Sequence, residues 1–173
     1  MADTYTAFLP AVSITPGKSL LGIYNDDAVL VVGIRRVHLI SCQNSPVQDY
    51  YYGTMEMRLA SAYQGGRTLD AIKHDSSNPA LDTDIKILSA ATWTDTAILR
   101  RRLVTLADPN TTLAPVFGEV HPVLACSWEG GYASAAGVGQ QVFTLRENEG
   151  FHCMMMTMSV SGEFDIAIEF TVA

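Results

Sequence analysis

A chain of 173 residues, 48% hydrophobic and only 17% charged, can bury one proper core and is expected to form a single domain over residues 1–173. Its net charge of −7 and pI near 4.9 argue against nucleic acid and anionic membranes as partners. No apolar run reaches the roughly 18 residues of a membrane span, and "MADTYTAFLPAV" lacks the basic-then-apolar pattern of a signal peptide, so neither is expected.

The charged fraction lies below the ~25% of an ordinary soluble domain, which fits a surface partly covered by partners in an assembly. Residues 1–12 are poor in charge and contain Pro10; they read either as an arm that orders against a neighbour or as an edge strand. After the turn "TPGK", residues 19–24 form a strand candidate, followed by the turn "YNDD". In "VLVVGIRRVHLIS" the inward set changes parity between Ile34 and Val37, which predicts a bulge near Gly33 to Arg36. "GTMEMRLASAY" alternates Met55, Met57 and Leu59 inward with Glu56 and Arg58 outward.

Beyond the turn "YQGG", Leu69 to Lys73 is the best candidate for a short helix. Further strands are expected at 85–91, 98–106, 123–128 and 142–145, separated by turns and by the flexible "EGGYASAAGVG". "RENEG" and "VSGE" flank "FHCMMMTMS", so the last three strands should form a meander. The closing "FDIAIEFTV" sets Phe164, Ile166, Ile168, Phe170 and Val172 against Asp165, Ala167, Glu169 and Thr171, a strand with one wet face. Eight to nine strands with regular turns predict an all-β fold, a two-sheet antiparallel β-sandwich of jelly-roll type with a short N-terminal arm as an option.

On a strand, His152, Met154, Met156 and Met158 share one face, and Phe151, Cys153 and Met155 the other. Thioethers suit Cu(I), but same-face neighbours stand roughly 6.5–7 Å apart, and a blue-copper site would need a second histidine. Core packing explains both faces, so no metal or other cofactor is expected. "KHDSSNPALDTD" gathers His74, Asp75, Asp82 and Asp84 without EF-hand spacing, in residue types that any turn uses. His38, His74, His121 and His152 are too scattered for a cupin metal motif. Nucleophile-elbow, P-loop, zincin and dinucleotide motifs are all missing, which argues against an enzyme. Cys42, Cys126 and Cys153 form no CxxC pair and are expected as buried thiols from a reducing compartment.

The arginines cluster as Arg35–Arg36 and Arg100–Arg101–Arg102. Within "ILRRRLV" at least one must lie close to buried surface and needs a carboxylate or carbonyl partner, in an intrachain ion pair or across a subunit interface. Candidate interface residues are Phe8, Leu9 and Pro10, the run Tyr50, Tyr51 and Tyr52, and Arg100, Arg101 and Arg102, since Tyr and Arg are common anchors.

Taken in order, "IRRVHLIS", "GTMEMRLASAYQGG", "HDSSNPAL", "LRRR" and "TLRENEGF…SGEFDIAIEFTV" resemble small β-sandwich structural proteins of tailed bacteriophages, over about residues 30–172. The resemblance implies a virion protein without enzymatic activity, made in the host cytoplasm and carried on the capsid surface. There it would decorate or cement the shell, as a homotrimer bound to the major capsid protein or another virion protein. The Met-rich penultimate strand departs from the pattern. Alternatives are a phage tail or fibre-attachment component, and a cupin-like or carbohydrate-binding sandwich. In the last, His38, His152 and the Met face, or Trp93, Trp128 and Tyr132, would line a small-ligand pocket.

Overall fold

Period-two patterning becomes strand throughout the computed structural model, which describes residues 2–41, 51–106, 123–130, 142–158 and 163–173. The strands are β1 (Asp3–Ser13), β2 (Lys18–Asn25), β3 (Val32–Ser41), β4 (Tyr51–Gln64), β5 (Arg67–Thr68), β6 (Ile72–Lys73), β7 (Ile85–Ser89), β8 (Thr92–Leu106), β9 (Val123–Glu129), β10 (Phe143–Leu145), β11 (Glu149–Met158) and β12 (Glu163–Val172). Among the described residues there is no helix.

Two antiparallel sheets pack face to face. The first runs β10-β3-β12-β1-β6, with β9 pairing farther along β3; the second runs β5-β7-β2-β11-β4-β8. The long strands therefore order as β1-β12-β3-β9 and β2-β11-β4-β8. This is the jelly-roll arrangement, with the chain passing between the sheets at most connections, the exceptions being β4 to β5, β7 to β8 and β9 to β10.

The expected meander of the last three strands does not form. Strands β10 and β12 lie in the first sheet, both against β3, whereas β11 lies in the second between β2 and β4. Turn residues at "RENEG" reverse the chain equally well within a sheet or across to the facing one. Here Asn148, at φ +59°, donates its N–H to Asn25 C=O at 2.8 Å at a corner.

The core is filled by alternate residues. Phe164, Ile166, Ile168 and Phe170 of β12 and Phe151, Cys153 and Met155 of β11 are all buried, and full burial of each large apolar side chain contributes about 1.5–3 kcal/mol. Tyr5 stacks on Phe170 with centroids 5.6 Å apart, and Trp128 on Phe143 at 4.4 Å. The expected bulge is present in β3: Arg36 pairs with Glu169 and Ile34 with Phe170, which leaves Arg35 as the extra residue. Val32, Ile34, Val37 and Leu39 can thereby all face inward.

Of the two readings of the N-terminus, the strand is the observed one. Strand β1 pairs with β12 from Asp3 to Ser13, interrupted by a bulge between Leu9 and Val12. There Ala11 takes φ +48° and donates its N–H to Asp165 Oδ1 at 2.8 Å. Pro10 sits in this bulge, where its missing N–H removes no ladder bond.

The helix expected at Leu69–Lys73 is also absent. Leu69 N–H donates to Ile87 C=O at 3.0 Å, and Ile72 and Lys73 pair with Thr6 and Tyr5. The segment instead straps one flank, with β5 on β7 and β6 on β1, and packs Leu69, Ala71 and Leu81 against the core. A five-residue helix lies well below the length that offsets nucleation, so the open sheet edges claim its backbone.

Candidate functional site

The polar residues gather on the outer face of the second sheet. Strand β11 runs between β2 and β4, with His152 opposite both Gly22 and Arg58, and Met154 opposite Glu56. Glu56 in turn lies opposite Arg101 of β8, Arg58 opposite Ile98, and Ala60 opposite Asp95. Register shifts leave Thr96 and Leu99 as extra residues in β8, so Asp95, Ile98 and Arg101 reach one face at intervals of three rather than two.

A continuous chain of charge-assisted contacts results. His152 Nε2 lies 2.7 Å from Asp95 Oδ1, and Arg58 donates to Asp95 Oδ2. Arg58 Nε donates to Glu56 Oε2 at 2.8 Å, backed by its Nη2, and Arg101 Nε donates to Glu56 Oε1 at 2.7 Å, backed by its Nη2. Arg58 Nη2 also approaches Met156 Sδ at 3.2 Å. The Glu56 side chain is wholly buried, while Arg101 is 63% exposed, so the ladder runs from the interior out to the sheet edge.

Trp93 seals the other end. Its indole stacks on the His152 imidazole, with centroids 5.0 Å apart and planes 2° from parallel, and Tyr63 and Tyr24 continue the aromatic row. Two glycines make room for it. A Cβ on Gly150 would lie 2.7 Å from Trp93 Cζ3, and one on Gly22 would collide with the ring while lying 2.7 Å from His152 Cβ and 2.8 Å from Phe151 O. These are closer than carbon–carbon and carbon–oxygen contact allows, so both positions need glycine.

Burial would raise the Glu56 pKa, but the hydrogen bonds and charges of Arg58 and Arg101 outweigh it and hold the carboxyl below its ordinary range. Asp95 is likewise held low, burial being outweighed by His152 and Arg58. For His152 burial dominates over the attraction of Asp95, with Arg58 adding repulsion, and the pKa is lowered. The neutral ring with Nε2–H directed at Asp95 satisfies this geometry. Protonation would add an Nδ1–H, and Nδ1 is a buried atom without a hydrogen-bond partner among the described residues. A general base must come within hydrogen-bond reach of its substrate. His152 has no accessible surface, so the His152–Asp95 pair serves as a cross-brace between β11 and β8.

The residues singled out from the sequence fall in different places. Arg101 makes the carboxylate pair expected of one arginine in its run, whereas Arg100 and Arg102 make no ion pair among the described residues. Phe8 is 37% exposed on the outer face of the first sheet, Pro10 is exposed at the bulge, and Leu9 packs on the core, so the three do not form one patch. Tyr51 and Tyr52 open β4 opposite Leu106 and Thr105; Tyr50, with Cys42, His121 and Tyr132, lies outside the described residues.

His38 and His152 lie on the outer faces of opposite sheets, and Trp128 is buried in the core, so neither set expected to line a ligand pocket comes together. His74 instead meets Thr6 Oγ1 at 2.6 Å, and Asp75 caps Ser77. Asp82 and Asp84 approach Asp27, with carboxylate oxygens within 4.8 Å of one another. Each aspartate has a local role: Asp27 accepts the Val29 and Leu30 N–H groups at 2.6 and 2.7 Å, Asp82 that of Asp84, and Asp84 lies 3.9 Å from Lys86.

Sequence reading placed Glu56 and Arg58 on the outward face but missed the ladder, because its members come from three strands and β8 reaches them only through its bulges. No protein-family model, curated protein or solved structure matches the chain, so the jelly-roll assignment rests on strand order alone.

Proposed function

We propose that the chain is a non-enzymatic structural subunit that self-associates and docks on the protein shell of a virion, as a decoration or cement protein does. The observation that carries this reading is the side of β8 that meets no strand among the described residues. This 15-residue strand ends the second sheet, and no strand lies beyond it among the described residues. It presents Ile98, 53% exposed, beside Arg100 and Arg101. A long edge that no described strand pairs, with exposed apolar and arginine side chains, supports a partner there.

The low charged fraction and the resemblance to tailed-phage sandwiches support the same reading, and the resemblance adds the trimer as the expected order of association. The jelly roll itself is shared by capsid, lectin and cupin domains and does not decide between them. The test is co-sedimentation. Particles banded on a density gradient from the producing culture should carry the chain in fixed proportion to the major shell protein, by quantitative mass spectrometry. Recovery only at the top of the gradient would overturn the reading, and recovery with isolated tails would move the protein to the tail.

A further inference from the structure

The two most exposed members of the polar ladder, Arg101 and Asp95, both lie on β8, while Arg58 of β4 is only 15% exposed between them. Arg101, 63% exposed, ends it on one side of Ile98 and Asp95, 29% exposed, lies on the other, each three residues from Ile98. All three side chains project from the same face, since they stand opposite Glu56, Ala60 and Arg58, and Ile98 itself is 53% exposed. The exposed stretch therefore reads acid, apolar, base about one central residue. Reversing its direction exchanges the charges, which is the symmetry an isologous two-fold contact requires.

We propose that β8 pairs antiparallel with β8 of a second copy about a two-fold axis at Ile98, extending the second sheet across the pair. This rests on the self-association part of the reading above and names the contact. Ile98 then meets the partner's Ile98, Asp95 faces the partner's Arg101, and Arg101 faces the partner's Asp95. The ladder continues without a break in sign from Glu56 through Arg101 to the partner's Asp95 and the partner's Arg58. Around the bulges at Thr96 and Leu99, edge N–H and C=O groups that meet no strand among the described residues find acceptors and donors across the contact, as in β-augmentation. Because the contact is closed, it joins copies in pairs, and in a trimeric assembly it would link one trimer to the next.

Only a residue on the axis lies beside its own copy, so cysteine cross-linking reads the symmetry directly. Directly opposed residues in an antiparallel pair have Cα atoms about 4.5–5.5 Å apart, within disulfide range. Under mild oxidation Ile98→Cys should form a disulfide dimer at twice the 18.8 kDa chain mass, well above the wild-type background. Thr94→Cys, whose cysteine would face the partner's Arg102, should not. Equal cross-linking of the two variants, or none above wild type, overturns the proposal.

As an independent arm, Ile98→Glu places like charges across the axis and should weaken pairing by about tenfold or more, while its unfolding midpoint equals that of wild type at dilutions where both are monomeric. An unchanged solution mass for that variant also overturns the contact. Neither result depends on particle binding, so the contact and the virion reading fail separately.

Discussion

Replacing Glu56 by Gln tests whether the ladder holds the outer face together. Glu56 is wholly buried and accepts from two guanidinium groups, with Nε contacts of 2.8 Å from Arg58 and 2.7 Å from Arg101 and an Nη2 contact beside each. Glutamine keeps the shape but offers one acceptor oxygen, and its NH2 must face the donors of the other arginine. Two charge-assisted bonds at about 1.5–3 kcal/mol each are lost. Part returns because Arg101 can turn to water, Arg58 keeps Asp95, and a neutral amide is cheaper to bury than a carboxylate.

The net destabilisation should be about 2–4 kcal/mol, a large share of the roughly 5–15 kcal/mol typical of a domain. Urea unfolding at pH 7 should show a lower midpoint with an unchanged slope, and the melting temperature should fall by about 5–15 °C. A loss under about 1 kcal/mol would put these contacts in the class of exposed surface pairs and rule out their role in holding the outer face.

Gly22→Ala should displace the Trp93 indole, cost about 1–3 kcal/mol and shift tryptophan emission to longer wavelength, since the added Cβ has no room against His152 and the Phe151 carbonyl. Acidification should destabilise the fold in two stages. His152 has a lowered pKa, so the unfolded chain takes up a proton first and stability falls as pH drops below about 6.5; Glu56 and Asp95, also lowered, add a second loss below about pH 4.5. Unfolding titrations of His152→Phe should lack the first stage and keep the second. Deleting residues 1–12 should leave no soluble, cooperatively unfolding protein rather than a folded domain without an arm, because β1 pairs with β12 along its length and buries Tyr5 and Ala7.

The sandwich was legible because burial imposes period two. Strand β12 keeps Phe164, Ile166, Ile168 and Phe170 inward as its alternation requires, and the parity change in β3 disclosed the bulge at Arg35. Turn chemistry was less informative. Asn and Gly at "RENEG" mark a reversal but not which sheet the chain enters next, and β11 enters the sheet facing β10 and β12. The apolar spacing of Leu69–Lys73 describes contact with the core equally well as helix or as strap, and only the neighbouring edges decide. The candidate site was the least legible part, since two unpatterned bulges in β8 bring Asp95, Ile98 and Arg101 to one face. Alternation in β4 places Glu56 and Arg58 on the outer face, yet Glu56 is dry, paired with Arg58 and Arg101.

The proposed self-association has a direct readout in the solution mass of the chain. Light scattering of the purified chain across a hundredfold range of concentration tests it most directly. The mass should rise to a multiple of 18.8 kDa, and Ile98→Glu should lower it. A mass of 18.8 kDa at every concentration would contradict the proposed self-association.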